Sequence, residues 1–126
     1  MKIKKIGWIC IWSGNYKTLA NWYRDVLCLE VSGELNLPDD SGVIFEFNEG
    51  TNLFIGAHTE VAGKNKDKYR AMLDFDVESV SEIYNNLKDK DVTIVRKPSL
   101  SPTKGYYAMT IFDPEDNLIQ FESINP

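Results

Sequence analysis

The sequence predicts an α+β chain made of two tandem β-α-β-β-β units. Apolar residues twice change from a two-residue spacing to a helical spacing and back, in the same order. The helical stripe Leu19, Trp22, Tyr23, Val26 and Leu27 is matched by a second, Val80, Ile83, Tyr84 and Leu87, displaced by about one repeat length. Turn-forming residues separate the strand-like runs, notably Pro38 to Gly42, "NEGTN" and "DPEDN".

In the first unit, "IGWICIW" alternates as a strand, and Asn15 stands where it can cap a helix through "TLANWYRDVL". Three strand-like runs follow, "LEVSGEL", "GVIFEFNE" and "TNLFIGAH". After the polar segment 59–68 the order repeats. A strand "YRAMLDFDV" leads to a helix "VSEIYNNLKDK", a strand "VTIVRK", a loop "PSLSPTKG", a strand "YYAMTIF", the turn "DPEDN" and a last strand "LIQFES". The expected organisation is a single domain over 1–126, with one unit at about 1–60 and the other at about 67–126.

With 43% apolar residues, three tryptophans, six tyrosines and six phenylalanines, 126 residues can fill such a core. No apolar run approaches the roughly 18 residues of a membrane span, so a soluble globular protein is expected, cytoplasmic by default. The net charge of −5 and the lack of a basic stripe argue against nucleic acid, whose affinity arises largely from phosphate neutralisation. The basic cluster "KNKDKYR", broken by Asp67, reads as a solvated linker. Cys10 and Cys28 lie in apolar segments and read as buried thiols of a reducing compartment.

On the last strand, Ile119 and Phe121 point one way while Leu118, Gln120 and Glu122 point the other. With "NWYRDVLCLEV" after the first helix start and "DPEDNLIQFES" at the end, the doubled unit resembles the vicinal-oxygen-chelate superfamily. That superfamily includes glyoxalase I, extradiol dioxygenases, fosfomycin-resistance proteins and bleomycin-binding proteins. The resemblance covers essentially the whole chain. Two departures stand out, Cys28 and Asp116, each where the family pattern has glycine. Asp tolerates a left-handed backbone better than most side chains, so the turn can survive.

The resemblance implies that the units curl into a curved mixed β-sheet cup with the helices outside. Alternation then puts Gly7, Ile9 and Ile11 toward the helices and Trp8, Cys10 and Trp12 toward the cup. On the fifth strand, Ala71, Leu73, Phe75 and Val77 take the helix side, and Arg70, Met72, Asp74 and Asp76 take the cup side with Gln120 and Glu122.

In metal-using members the resemblance implies ligands from the first strand of each unit and from later strands. The matching positions hold Trp8, then Arg70 or Met72, Phe54 or Ile55, and Gln120. Only Gln120 offers a suitable oxygen, since tryptophan has no usable lone pair, arginine is cationic and a thioether is soft. No metal and no other cofactor is therefore expected. A non-standard site would need His58, Glu46, Gln120 and Glu122 together, with His58 turned inward from its strand end.

Other chemistry has less support. His58 reads as a surface residue, Cys10 with His58 lacks an orienting third group, and Ser41 and Ser101 lie in loops without a motif. Arg70 and Asp74, about 13 Å apart along one strand face, are either structural ion pairs with partners such as Glu122 or a ligand's anchor and base.

Trp8 and Trp12 either fill the cup or stack on a flat ligand. Such a lining is similar to that of bleomycin-binding members, acidic metal-free dimers that sequester a cationic aromatic antibiotic. The expected function is metal-independent binding of a small aromatic or cationic organic molecule. Its expected contacts are Trp8, Trp12, Phe54, Arg70, Met72, Asp74, Tyr106, Gln120 and Glu122. Alternatives are an enzyme using Asp74 or Glu122 as a base, or a lyase, isomerase or dioxygenase with a non-standard divalent metal. The resemblance also implies a homodimer, with neither nucleic acid nor membrane as partner.

Overall fold

A computed structural model describes residues 1–102 and 105–126. The chain divides into two compact units, Met1–Gly63 and Lys64–Pro126. Unit 1 contains β1 (Trp8–Ser13), α1 (Tyr16–Asp25), β2 (Val31–Leu37), β3 (Asp40–Phe45) and β4 (Asn52–Ala57). Unit 2 contains β5 (Met72–Asp76), α2 (Val80–Leu87), β6 (Thr93–Leu100), β7 (Tyr107–Phe112) and β8 (Leu118–Ser123). The predicted order of elements is present in both. Among the described residues no helix is long and apolar enough to cross a membrane.

Each unit forms a four-stranded mixed sheet, in the orders β1-β4-β3-β2 and β5-β8-β7-β6. The first strand of each runs parallel to the last, and the remaining pairs are antiparallel. One helix covers one face of each sheet, as the apolar stripes predict. In unit 1 that face buries Phe45, Leu53 and Ile55 under Leu19, Ala20 and Tyr23. In unit 2, Met109, Ile111, Ile119 and Phe121 lie under Val80 and Leu87, with Phe75 stacked on Phe121 at 5.9 Å.

The start of α1 is held differently from the prediction. Asn15 occupies the N-cap position of α1 without a side-chain capping bond; its N–H instead donates to Ser13 Oγ at 2.9 Å. In α2, Ser79 Oγ accepts from the Glu82 N–H at 3.2 Å, the first half of the Ser-x-x-Glu capping pattern. Ser123, buried near the end of β8, accepts from the Val80 N–H at 3.0 Å and so ties the same helix start to the sheet.

Several boundaries also shift. β2 and β3 close on a two-residue turn at Pro38 and Asp39, with Leu37 opposite Asp40. β6 continues through Pro98, Ser99 and Leu100 into the predicted loop, because it is an edge strand where a missing N–H costs no ladder bond. Thr103 and Lys104 of that loop lie outside the described residues. The basic segment is more than a solvated linker: the Asn65 N–H donates to the Glu115 carbonyl at 2.7 Å, fastening it to the β7–β8 turn.

That turn is organised by Asp113, which is buried. Its Oδ1 accepts from the N–H groups of Glu115 and Asn117 at 2.8 and 3.0 Å, and its Oδ2 accepts from Asn117 Nδ2 at 2.9 Å. Both departures from glycine carry left-handed backbone, with φ of 59° at Cys28 and 60° at Asp116. They are the only non-glycine residues with positive φ among those described. A Cβ in this region costs about 1–2 kcal/mol, less for Asp than for Cys. Both cysteines are exposed free thiols, contrary to the burial expected from their apolar neighbours. Cys10 falls on the face away from α1, and Cys28 lies in the turn after it.

Cys28→Gly should therefore raise the free energy of unfolding by about 1 kcal/mol, since relief of the left-handed strain exceeds the added chain entropy. Asp116→Gly should gain less. Urea denaturation of both variants measures the difference.

Candidate functional site

Strand pairing decides which side chains share the faces that the helices leave open. In unit 1, Cys10, Phe54, Ile44 and Gly33 form one cross-strand row, and Trp12, Gly56, Gly42 and Leu35 form the next. Trp8, opposite Asn52, completes this face. The predicted orientation of Trp8, Cys10 and Trp12 thus agrees with the register.

The second row has a consequence for its neighbours. Gly42 and Gly56 pair directly, and a Cβ on either would overlap the Phe54 ring. Phe54 therefore lies flat over bare backbone and is only 6% exposed, although it belongs to the open face. A Cβ on Gly56 would also come within 3.0 Å of Trp12 Cζ3. Trp12 meets Phe54 edge to face at 5.9 Å and the His58 ring at 5.8 Å, yet remains 42% exposed. It is a positioned aromatic surface, fixed on several sides and open on another.

In unit 2 the corresponding face is polar. One row reads Arg96, Thr110, Gln120 and Asp74, and the next reads Ser99, Ala108, Glu122 and Asp76. Glu122 is half-buried beside the two exposed aspartates. Desolvation pushes its carboxyl above the usual range, and the negative charges of Asp74 and Asp76, with hydrogen bonding to them, push it further in the same direction.

Arg96 is the residue that alternation hides. A bulge between Ile94 and Arg96 sets two steps of β6 against one of β7, so Arg96 joins Thr110 on the open face instead of following Ile94 into the core. Its Nε donates to Ser99 Oγ at 2.8 Å across the next irregularity.

Other predicted positions scatter. Met72 opens β5, 45% exposed and opposite Leu118. Arg70 precedes that strand and does not share its face: its Nε donates to Asp67 Oδ2 at 2.5 Å, so the Arg70–Asp74 relation along one strand does not arise. Tyr106 lies just before β7, half-buried, its carbonyl accepting from the Ser101 N–H at 2.7 Å. Ser41 Oγ donates to the Leu37 carbonyl at 2.9 Å within the β2–β3 hairpin.

Glu46 follows β3 and His58 follows β4, both exposed and both in unit 1, whereas Gln120 and Glu122 belong to unit 2. Among the described residues no three His, Cys, Asp or Glu side chains form a group able to hold a metal ion. Of Trp8, Arg70 or Met72, Phe54 or Ile55, and Gln120, at the positions where the resemblance implies ligands, only Gln120 carries an oxygen donor.

The raised carboxyl of Glu122 sets a pH dependence. Its folded state is relatively favoured while the group is protonated, and that advantage is lost as pH rises through the raised value. Glu122→Gln should raise Tm at neutral pH, with the gain lost as pH falls to where carboxylates are protonated in the unfolded chain too. Thermal melts across that range check it.

Comparison with known proteins agrees with this architecture. A family model described as the Glyoxalase/Bleomycin resistance protein/Dioxygenase superfamily matches residues 5–121. Comparison with curated proteins gives no significant match. Among solved structures, a glyoxalase family protein from Enterococcus faecalis is 21% identical with a TM-score of 0.74, covering 98% of this chain and 100% of its own. TnmS3, an antibiotic-binding protein from Streptomyces sp. CB03234, is 13% identical with a TM-score of 0.76, over 98% of each chain. A glyoxalase I mutant from Zea mays is 12% identical with a TM-score of 0.81, over 97% of this chain but 46% of its own. Two β-α-β-β-β units in this order, under a family model that spans nearly all of both, make the chain a member of the Glyoxalase/Bleomycin resistance protein/Dioxygenase superfamily.

Proposed function

We propose that the protein binds a small aromatic or cationic organic molecule without a metal ion. The observation that carries this reading is Trp12, held by Gly56, Phe54 and His58 while the residue stays 42% exposed. A ring fixed before binding loses little freedom when a flat ligand stacks on it. Trp8 supplies further aromatic surface on the same face. The carboxylates of Asp74, Asp76 and Glu122, with the net charge of −5, favour a cationic ligand. Met72, Tyr106 and Gln120 are the remaining proposed contacts. The antibiotic-binding relative supports binding as the activity, and the donor-poor positions named above support metal independence.

A specific observation favours a second reading. Glu122 lies opposite Asp76 with Asp74 in the adjacent row, and this crowding of carboxyls, which raises that of Glu122, suits a metal-independent enzyme with Glu122, or Asp74, as base.

A tryptophan-quenching screen of cationic and neutral aromatic compounds, on protein treated with chelator, separates these readings. Binding should persist after chelation, and Trp12→Phe should weaken it by about fivefold, a loss of roughly 1 kcal/mol of stacking. Absence of quenching by any compound, or quenching only after a divalent ion is restored, would overturn the proposal. Turnover of a bound compound, abolished in Asp74→Asn or Glu122→Gln, would favour the enzyme.

A homodimer is also proposed from the family resemblance. Sedimentation at micromolar concentration should give twice the 14.4 kDa chain mass, and a persistent monomer would exclude it.

A further inference from the structure

We propose that His58 selects, among flat ligands on Trp12, those that carry a hydrogen-bond acceptor such as an aromatic carbonyl oxygen. This rests on the reading of Trp12 as a stacking surface. His58 directly follows β4, whose Gly56 supports Trp12 and Phe54, and its own N–H donates to the Ser13 carbonyl at 3.4 Å. The imidazole is exposed and lies 5.8 Å from the Trp12 ring, inclined at 62°.

Its tautomer follows from one bond. The Glu60 N–H donates to Nδ1 at 3.1 Å, so Nδ1 carries the lone pair and the neutral ring carries its proton on Nε2. The Val61 N–H bonds back to the His58 carbonyl at 3.1 Å, which closes the turn that presents Glu60. Nε2–H is therefore a donor of defined identity beside an exposed indole. An N–H donor attracts a carbonyl or phenolic oxygen and offers nothing to an ammonium group. His58 thus narrows the ligand class from any flat aromatic to one with an acceptor at its edge.

The experiment compares acetylnaphthalene with isopropenylnaphthalene, which replaces the carbonyl oxygen by a methylene at nearly constant shape. Tryptophan quenching gives both affinities, and nitrogen-detected NMR of the imidazole follows Nε2. The wild-type protein should prefer the ketone by about tenfold, as expected for one hydrogen bond formed in partial shelter from water. The Nε2–H signal should move with the ketone only. His58→Phe should bring the two affinities together, and His58→Gln, which keeps an N–H donor, should recover part of the preference. Equal wild-type affinities, or a ketone preference that survives in His58→Phe, would overturn the role of His58 while leaving Trp12 as a binding surface. Quenching by neither compound would overturn both.

Discussion

A four-stranded sheet with one helix can bury only one of its faces, and the arrangement of this chain follows from that constraint. Apolar side chains of one parity go under α1 or α2, where Phe45, Ile55, Ile111 and Ile119 lose nearly all contact with water. Burial of this kind contributes about 25 cal/mol for each Å² of apolar surface, enough to fix the register of every strand. Side chains of the other parity are released from that demand. They are the ones whose composition differs most between the units.

In unit 1 the open face is aromatic and rests on glycine. Gly42 and Gly56 bring two strands to a place without side chains, and Phe54 fills the depression. Trp12 depends on that filling, since one of its edges meets the Phe54 ring. In unit 2 the open face concentrates charge, and Glu122 is held where its proton is harder to lose. The two faces therefore offer different chemistry from one repeated architecture: stacking in the first, hydrogen bonding and negative charge in the second.

Period was the legible part of the sequence. Two helical stripes and alternating strands follow from 3.6- and 2-residue repeats, and the orientation of Trp8, Trp12, Gln120 and Glu122 came with them. Features that break the period were not legible. Arg96 reaches the open face through a bulge that no residue type announces, and Arg70 is drawn away from β5 by Asp67, three residues earlier. The apolar neighbours of Cys10 predict burial, whereas its parity places it opposite them, and it is exposed. Ser79 and Glu82 form a readable capping signal that the helical stripe does not contain. The packing of Phe54 on two glycines belongs to a third kind of feature. It joins residues from separate strands and exists only once their pairing is known.

Cys28 and Asp116 carry a meaning outside the folded chain. Both occupy backbone that glycine would hold without strain, and both sit in turns, where the cost stays local. Codons for Cys and for Asp lie a single base from codons for Gly. The chain is thus one nucleotide away from relief at each turn, in two independent steps. Neither path crosses an unfolded intermediate, so the strain is a reserve of stability open to gradual selection, against which a costly substitution on either open face could be tolerated.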